Sequence, residues 1–298
     1  MSNNVIKNND EIIAKKSKNL LERIPTKKNR KQVENALEFS IKMHHGQTRK
    51  SGLPFVSHCI DVANILIDWN MDHTTVVSAL LHDVVEDTEV KLSDIEEEFG
   101  SDVALLVDGV TKVENIAFRS KKHKQAENFT KLFLSLARDL RVIIIKFADR
   151  LNNMETIQYL SSKKRKEIAL ETKEIFVPLA HRLGMAKLKW KLEDLSLKCL
   201  DLRAYNGIKK KIETSSRLNE DILSNAIKPI KSELNTYKIK SNIFGRYKSI
   251  SSIHRKIEKS GKKFEEIYDL YAIRIVVDKI EECYLALGVI PVSYTHLT

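Results

Sequence analysis

The chain has 298 residues, 42% of them hydrophobic and 31% charged, which suits a soluble globular protein long enough for two ordinary domains. No run reaches the roughly 18 apolar residues of a membrane span, the polar start MSNNVIKNNDEIIAKKSKN lacks a signal-peptide core, and Cys59, Cys199 and Cys283 form no Cys-x-x-Cys pair. A membrane span, a disulfide framework and a zinc knuckle are therefore excluded, and the cytoplasm is the expected compartment. The net charge of +11 fits either a lysine-rich surface or attraction to a phosphate-rich ligand, and no single basic block decides between them.

Residues 1–28 are lysine- and asparagine-rich and read as a flexible lead-in with one short helix. From Lys31 to His45 the apolar positions recur at helical spacing. Gly46, Gly52 and Pro54 then mark a loop, and a second helix runs from near Ser57 to Trp69. Residues 72–87 read as one continuous helix. Ser93 with Glu96 forms a capping-box pattern for a short helix that Gly100 stops, and Asp102 to Thr111 makes another.

The basic segment Ala117–Gln125 reads as a mobile loop, and Ala126–Leu140 as an amphipathic helix. Val142–Leu160, though rich in β-branched residues, reads as a buried helix. Pro178 and Gly184 bracket helix ends, and Trp190–Leu202 is helical again. Nearly everything to about residue 203 is thus α. Beyond it come a long lysine-rich helix (about 206–234), a strand-like alternation over 237–244, a helix at 249–259, a buried strand at 271–278 and a helix at 280–287. This is the beginning of an α/β unit.

The stretch Leu80-Leu81-His82-Asp83-Val84-Val85-Glu86-Asp87 organises the first part. On a helix Glu86 would lie above His82 and Asp83, with the apolar residues on the opposite face. One imidazole and three carboxylates crowded together would repel one another and desolvate at a cost, and a divalent cation is the simplest compensation. His58 on the preceding helix and Asp149 after the apolar run Ile143–Ala148 point to the same place. Asn153 stands one turn beyond Asp149, where it could orient a water or a ligand.

Taken singly, His58 and His82 are as readily core histidines, and Asp149 a cap or a partner of Arg150. Together, His58, His82, Asp83 and Asp149 form the ligand set of the HD metal-dependent phosphohydrolases, leaving open positions on the ion. His44, His45, His73 and His123 read as surface residues, and His181 as a helix-end residue.

The sequence resembles the Rel/SpoT (long RelA–SpoT homologue) enzymes, which make and destroy guanosine tetra- and pentaphosphate. The resemblance rests on Gly46–Gly52, Ser57-His58, Leu80–Thr88, Asp108–Lys112, Gln125–Phe129, Arg141–Met154, Pro178–Leu183 and Trp190–Leu195. It implies an all-helical HD-domain bundle, followed by the start of a nucleotidyltransferase-like α/β synthetase domain. The activity implied is a hydrolase that removes pyrophosphate from the ribose 3′ position.

By matching position, His58, His82, Asp83 and Asp149 would hold Mn²⁺, and Glu86 and Asp87 would activate or position water. Arg49, Lys50 and Ser51 would grip the guanine nucleotide, with Asn153 and Thr156 as the opposite wall. Arg49 has a guanidinium suited to stacking on a purine. The surplus positive charge would meet a polyanionic substrate. Asn152 departs from the family, which usually has histidine there. Because that position is not among the ligands, hydrolysis is expected to survive with altered metal affinity.

In the second part, Arg246, Lys248 and Lys256 match contacts to ATP phosphates. Asp269 matches a residue that would hold Mg²⁺ if the synthetase were complete. Tyr247 and Ser249 replace the usual proline and histidine, and Pro291–Thr298 resembles nothing in the family. The divisions implied are the lead-in at 1–28, the hydrolase at 29–203, a linker helix with a partial synthetase at 204–290, and a tail at 291–298. The synthetase half is expected to be truncated and inactive. The expected partner is a guanine nucleotide, with no membrane, no DNA and no ribosome contact. Three other readings stand beside this one: a fragment of a bifunctional synthetase/hydrolase of the GTP pyrophosphokinase kind, an HD phosphohydrolase of another nucleotide, and a module that binds the alarmone without turnover.

Overall fold

The computed structural model describes residues 2–111, 130, 131, 133–261, 263–267 and 270–295. They are mainly helical and divide into two compact units, Met1–Arg165 and Lys166–Thr298. The segment 117–125, the motif residues 125–129 and Asp269 lie outside the described residues. Among the described residues no helix is long and apolar enough to cross a membrane.

The first unit contains α1 (Ser2–Glu22), α2 (Lys27–Met43), α3 (Val56–Asp68), α4 (His73–Leu81), α5 (Val84–Asp87), α6 (Leu92–Phe99), α7 (Ser101–Val110) and α8 (Arg141–Glu155). Its core is built from Ile60 and Leu66 of α3, Leu80 and Leu81 of α4, Leu106 of α7, and Ile143, Ile145 and Phe147 of α8, all fully buried. Each such side chain contributes about 1.5–3 kcal/mol of burial. Packing against α3, α4 and α7 keeps α8 helical despite its β-branched run.

Gly109 lets α7 approach α8 closely, because a Cβ there would stand 2.7 Å from a Val142 methyl. The lead-in is more ordered than its composition suggests. Leu20 of α1 is fully buried, Lys16 Nζ lies 2.6 Å from Asp61, and Arg23 donates to Asn64 Oδ1 at 2.8 Å. These contacts fasten α1 to α3.

Two further expectations shift. The helix expected over 72–87 breaks after Leu81, leaving His82 and Asp83 in a turn before α5. The His82 ring donates from Nδ1 to the Ala79 carbonyl at 2.7 Å, competing for the group that the Asp83 N–H would use in a continuing α-helix. The cap of α6 lies at Lys91 rather than Ser93, with the Asp94 carboxylate accepting from the Lys91 N–H at 2.9 Å. Gly100, at φ 90°, ends α6 as expected.

The second part of the chain runs through α9 (Ser162–Glu171), a π-helical turn at Thr172–Phe176, α10 (Val177–Arg182), α11 (Ala186–Leu200) and α12 (Leu202–Thr236). Strand β1 (Ser241–Tyr247) pairs antiparallel with β2 (Tyr271–Val277), Ser241 facing Val277 and Tyr247 facing Tyr271. Between the strands lies α13 (Ile250–Ser260), capped by Ser249, and after them α14 (Ile280–Thr295). The first strand starts later than expected because Lys238, at φ 56°, turns the chain after α12. Helix α14 continues past residue 287 to Thr295.

Helix α12 carries Pro229 in its interior. Before the proline, Ile208 packs with Ile253, Phe264 and Ile267; after it, Ile230 and Leu234 pack with Ile239, Ala286 and Val289.

Candidate metal centre and nucleotide loop

Three elements bring the predicted ligands together. His58 comes from α3, His82 and Asp83 from the turn after α4, and Asp149 from the middle of α8. The two imidazoles are only 2% and 1% exposed, so they cannot rely on bulk water for partners. His58 Nε2 lies 3.2 Å from Asp149 Oδ1 and 3.6 Å from Asp83 Oδ2, and His82 Nε2 lies 3.2 Å from Asp83 Oδ1. Donor atoms of His58, His82 and Asp149 all fall within 4.8 Å of one another.

The donor set suits a divalent ion. His82 Nε2 is buried and has no hydrogen-bond partner, because Nδ1 already uses the ring proton on Ala79. Leaving a buried imidazole nitrogen unpaired costs about 1–3 kcal/mol, and a cation at Nε2 removes that cost. Cys59, His82 and Asp83 also cluster. Burial and the Asp83 charge push the Cys59 thiol well above its ordinary pKa, so it stays protonated and is the poorer ligand.

The charges reinforce one another. Burial opposes ionisation of Asp149, but the His58 hydrogen bond and the Lys146 ammonium hold it well below the usual carboxylate range. Burial likewise opposes Asp83, and the His82 and His58 rings outweigh it. Burial also opposes a charged His58, yet Asp149 and Asp83 raise its pKa.

The loop beside this cluster turns on Gly46 and Gly52, at φ 78° and 83°. Arg49 N–H bonds to the Leu53 carbonyl at 2.8 Å, and Phe55 N–H to the Gln47 carbonyl at 3.0 Å. Arg49 reaches inward, donating from Nη2 to Asn153 Oδ1 at 2.8 Å, and its guanidinium lies 5.9 Å from the Phe55 ring centre. Lys50 is exposed. Ser51 is half-buried, its Oγ accepting from the Leu53 N–H at 3.5 Å.

Asn153 passes the contact on, donating to Asp149 Oδ1 at 2.5 Å. Thr156 turns its hydroxyl back onto the Asn152 carbonyl at 2.9 Å, capping α8. Glu86 is half-buried and Asp87 exposed on α5, and the Asp87 carbonyl accepts from Gln47 Nε2 at 2.9 Å. The break at His82–Asp83 thus seats the acidic pair on a separate short helix.

Sequence reasoning missed several supporting residues. His44, expected at the surface, is buried, stacks on Phe55 at 4.8 Å between ring centres, and donates to Gln47 Oε1 at 2.8 Å. Gln47 thereby ties the loop to α5. The signal available was the pair of glycines at Gly46 and Gly52, which already implied a shaped loop.

In the second unit, Lys248 and Lys256 line a surface cleft with Trp190, Ser249, Ser252 and Arg255. Arg246 lies on β1 opposite Ala272. Arg255 meets Glu193 at 2.5 Å, and Asp194 accepts from the Ser251 N–H at 2.8 Å. Asp269 cannot be related to this cleft, since it lies outside the described residues.

The helical bundle gathers two histidines and two aspartates in pairwise contact, and residues 36–186 match the HD-domain family model. The chain belongs to the HD-domain family. Residues 245–297 match the region found in RelA/SpoT proteins, so the family resemblance read from the sequence is borne out in both halves.

Among curated relatives, the guanosine-3′,5′-bis(diphosphate) 3′-pyrophosphohydrolase of Spiroplasma citri is 40% identical over 90% of this chain and 36% of its own length. The GTP pyrophosphokinase of Streptomyces coelicolor is 42% identical over 87% of this chain and 30% of its own. The pyrophosphohydrolase of Haemophilus influenzae is 41% identical over 82% and 36%. The chain therefore spans about a third of the length of these relatives. A solved structure described as a metazoan ortholog of SpoT that hydrolyzes ppGpp is 26% identical, covering 58% of this chain and 95% of its own, with a TM-score of 0.44.

Proposed function

We propose that the chain is a Mn²⁺-dependent guanosine-3′,5′-bis(diphosphate) 3′-pyrophosphohydrolase, acting on the tetra- and pentaphosphate in the cytoplasm. The observation that carries this reading is the convergence of His58, His82, Asp83 and Asp149 beside Arg49, with His82 Nε2 buried and unpaired. The names of the curated relatives support the same substrate. We assign the hydrolase to residues 29–203 and a synthetase-like region to 204–290.

His58, His82, Asp83 and Asp149 would hold the ion, which supplies charge neutralisation for phosphate oxygens and acidifies water. The chain's own groups do the rest. Arg49 offers a planar cation for the purine at the mouth of the site, and Lys50 adds positive charge beside it. Glu86 and Asp87 sit on α5 as proton acceptors for the attacking water. Hydrolysis leaves that water's oxygen on the released pyrophosphate, and the ribose 3′-oxygen takes up a proton.

We assign no pyrophosphoryl transfer to the second region. Tyr247 and Ser249 stand where the family has proline and histidine, and Arg255 beside Lys256 is already engaged by Glu193.

The test is pyrophosphate release from the alarmone by purified protein, with Mn²⁺ and with excess chelator, beside a synthesis assay with ATP and GDP. Release that depends on Mn²⁺, with no synthesis, is expected. No release with Mn²⁺ present refutes the assignment, and release from another nucleotide at equal rate redirects the substrate.

A further inference from the structure

Asn152, one of the residues by which this chain departs from its family, lies between the His58–Asp149 cluster and the Arg49 loop. It is 5% exposed. Its Oδ1 lies 2.7 Å from His58 Nδ1 and 3.4 Å from Arg49 Nη1. A guanidinium can only donate, so the Asn152 atom facing Arg49 must be the amide oxygen rather than the nitrogen. The His58 Nδ1 that meets this same oxygen must then carry a proton. One amide oxygen with two lone pairs satisfies both donors.

We infer that Asn152 is a positioning residue: its amide oxygen fixes the protonated edge of His58 and turns Nε2 into the metal cluster, while its second lone pair ties that ring to Arg49. This rests on the hydrolase reading for its consequence, though not for its geometry. Asn153 makes the parallel link, taking a hydrogen bond from Arg49 and giving one to Asp149. Two consecutive asparagines on α8 thus connect one loop arginine to two ligands on different helices. Asn152 Oδ1 is the acceptor that Nδ1 meets. Nearby, Phe55 presents its ring to His58 edge-on at 6.4 Å, and His82 faces it at 5.4 Å between ring centres. Asp83 and Asp149 stand on the Nε2 side.

The consequence is specific to the acceptor oxygen, not to the size of the side chain. Partners of this kind typically change metal affinity by about 10- to 100-fold when removed. Asn152→Leu keeps the branched shape and the number of side-chain heavy atoms and deletes the acceptor, and Asn152→Asp keeps the acceptor.

Two measurements on the full chain test this. The first follows the Nδ1–H of ¹⁵N-labelled His58 in metal-free protein by NMR. An exchange-protected imidazole proton is expected in the wild type and in Asn152→Asp, and its loss in Asn152→Leu. The second titrates Mn²⁺ alone by calorimetry, with circular dichroism confirming that each variant is folded. Asn152→Leu should bind about 10- to 100-fold more weakly, with Asn152→Asp within a fewfold of wild type.

An unprotected His58 Nδ1–H in the wild type overturns the inference, as does an Asn152→Leu variant that binds Mn²⁺ like wild type. A wild-type protein that binds no Mn²⁺ refutes the metal-site reading itself, and the imidazole proton still decides whether Asn152 fixes the ring. Should Asn152→Leu fail to fold, the wild-type and Asn152→Asp spectra and titrations decide the question.

Discussion

Gly109→Ala sets two effects of known size against each other. In a helix interior the change is worth about 1 kcal/mol in favour of alanine. Gly109 is the penultimate residue of α7, where fraying makes that gain smaller. Against it, the new methyl would stand 2.7 Å and 3.1 Å from the two Val142 methyls and 3.2 Å from Ser135 Cβ. A valine in a helix is nearly fixed at χ1, so the methyls cannot swing aside and α8 or α7 must shift. Overpacking of this kind costs typically about 1–3 kcal/mol.

The clash therefore wins by about 1 kcal/mol, a fall in Tm of about 2–4 °C for a unit of this size. Thermal melts of Gly109→Ala, Val142→Ala and the double variant measure this. With Val142 cut back, the Gly109 change should become neutral or stabilising, giving a coupling of at least about 1 kcal/mol. A rise in Tm for the single variant, or an equal loss in both backgrounds, would refute the reasoning.

His82→Ala and Asp149→Ala should each abolish pyrophosphate release, and Asp149→Ala should leave far-UV circular dichroism unchanged, since it removes a carboxylate at the cluster rather than a buried ring that shapes the backbone. Arg49→Lys keeps the charge but loses the fork that meets Asn152 and Asn153, so KM should rise about 5- to 100-fold, read from initial rates. Mn²⁺ affinity should fall as the pH drops through the raised pKa of His58, because ion and proton compete for Nε2; calorimetry in buffers of differing ionisation heat will show proton release.

Asp139, held down by its Arg141 hydrogen bond, and Asp72, held down against burial by Thr75 and Arg141, both have depressed pKa values. Their stabilisation is complete above the unfolded carboxylate value and is lost as the pH falls through the folded one. Acid titration of Asp72→Ala and Asp139→Asn should show a flatter decline below about pH 4 than wild type.

The clustering of His58, His82, Asp83 and Asp149 was legible because their spacing crosses three helices in a pattern that core histidines rarely share, and the structure brings these side chains within 3.2–3.6 Å of one another in pairs. What hid the break at His82–Asp83 was the apolar set Leu80, Leu81, Val84 and Val85, which continues a helical period straight through it. Only the ring's bond to the Ala79 carbonyl, a contact with no trace in residue order, explains the turn. The role of Asn152 was invisible for the same reason: a sequence says which side chain is present, not which nitrogen of His58 faces it. His44 was misread because two histidines before a glycine look like a frayed end, when Phe55, eleven positions on, folds back over the first. The lead-in was misread by composition, which weighs its many lysines and overlooks the single buried Leu20.

Pro229 has no N–H to give the carbonyl one turn earlier, so α12 carries a missing rung between stretches anchored in separate apolar nests. Amide exchange in that rod should therefore register two protection plateaus rather than one. The half around Ile208 should open with Ile253 and Phe264, and the half around Leu234 should follow the β1–β2 pair and the last helix.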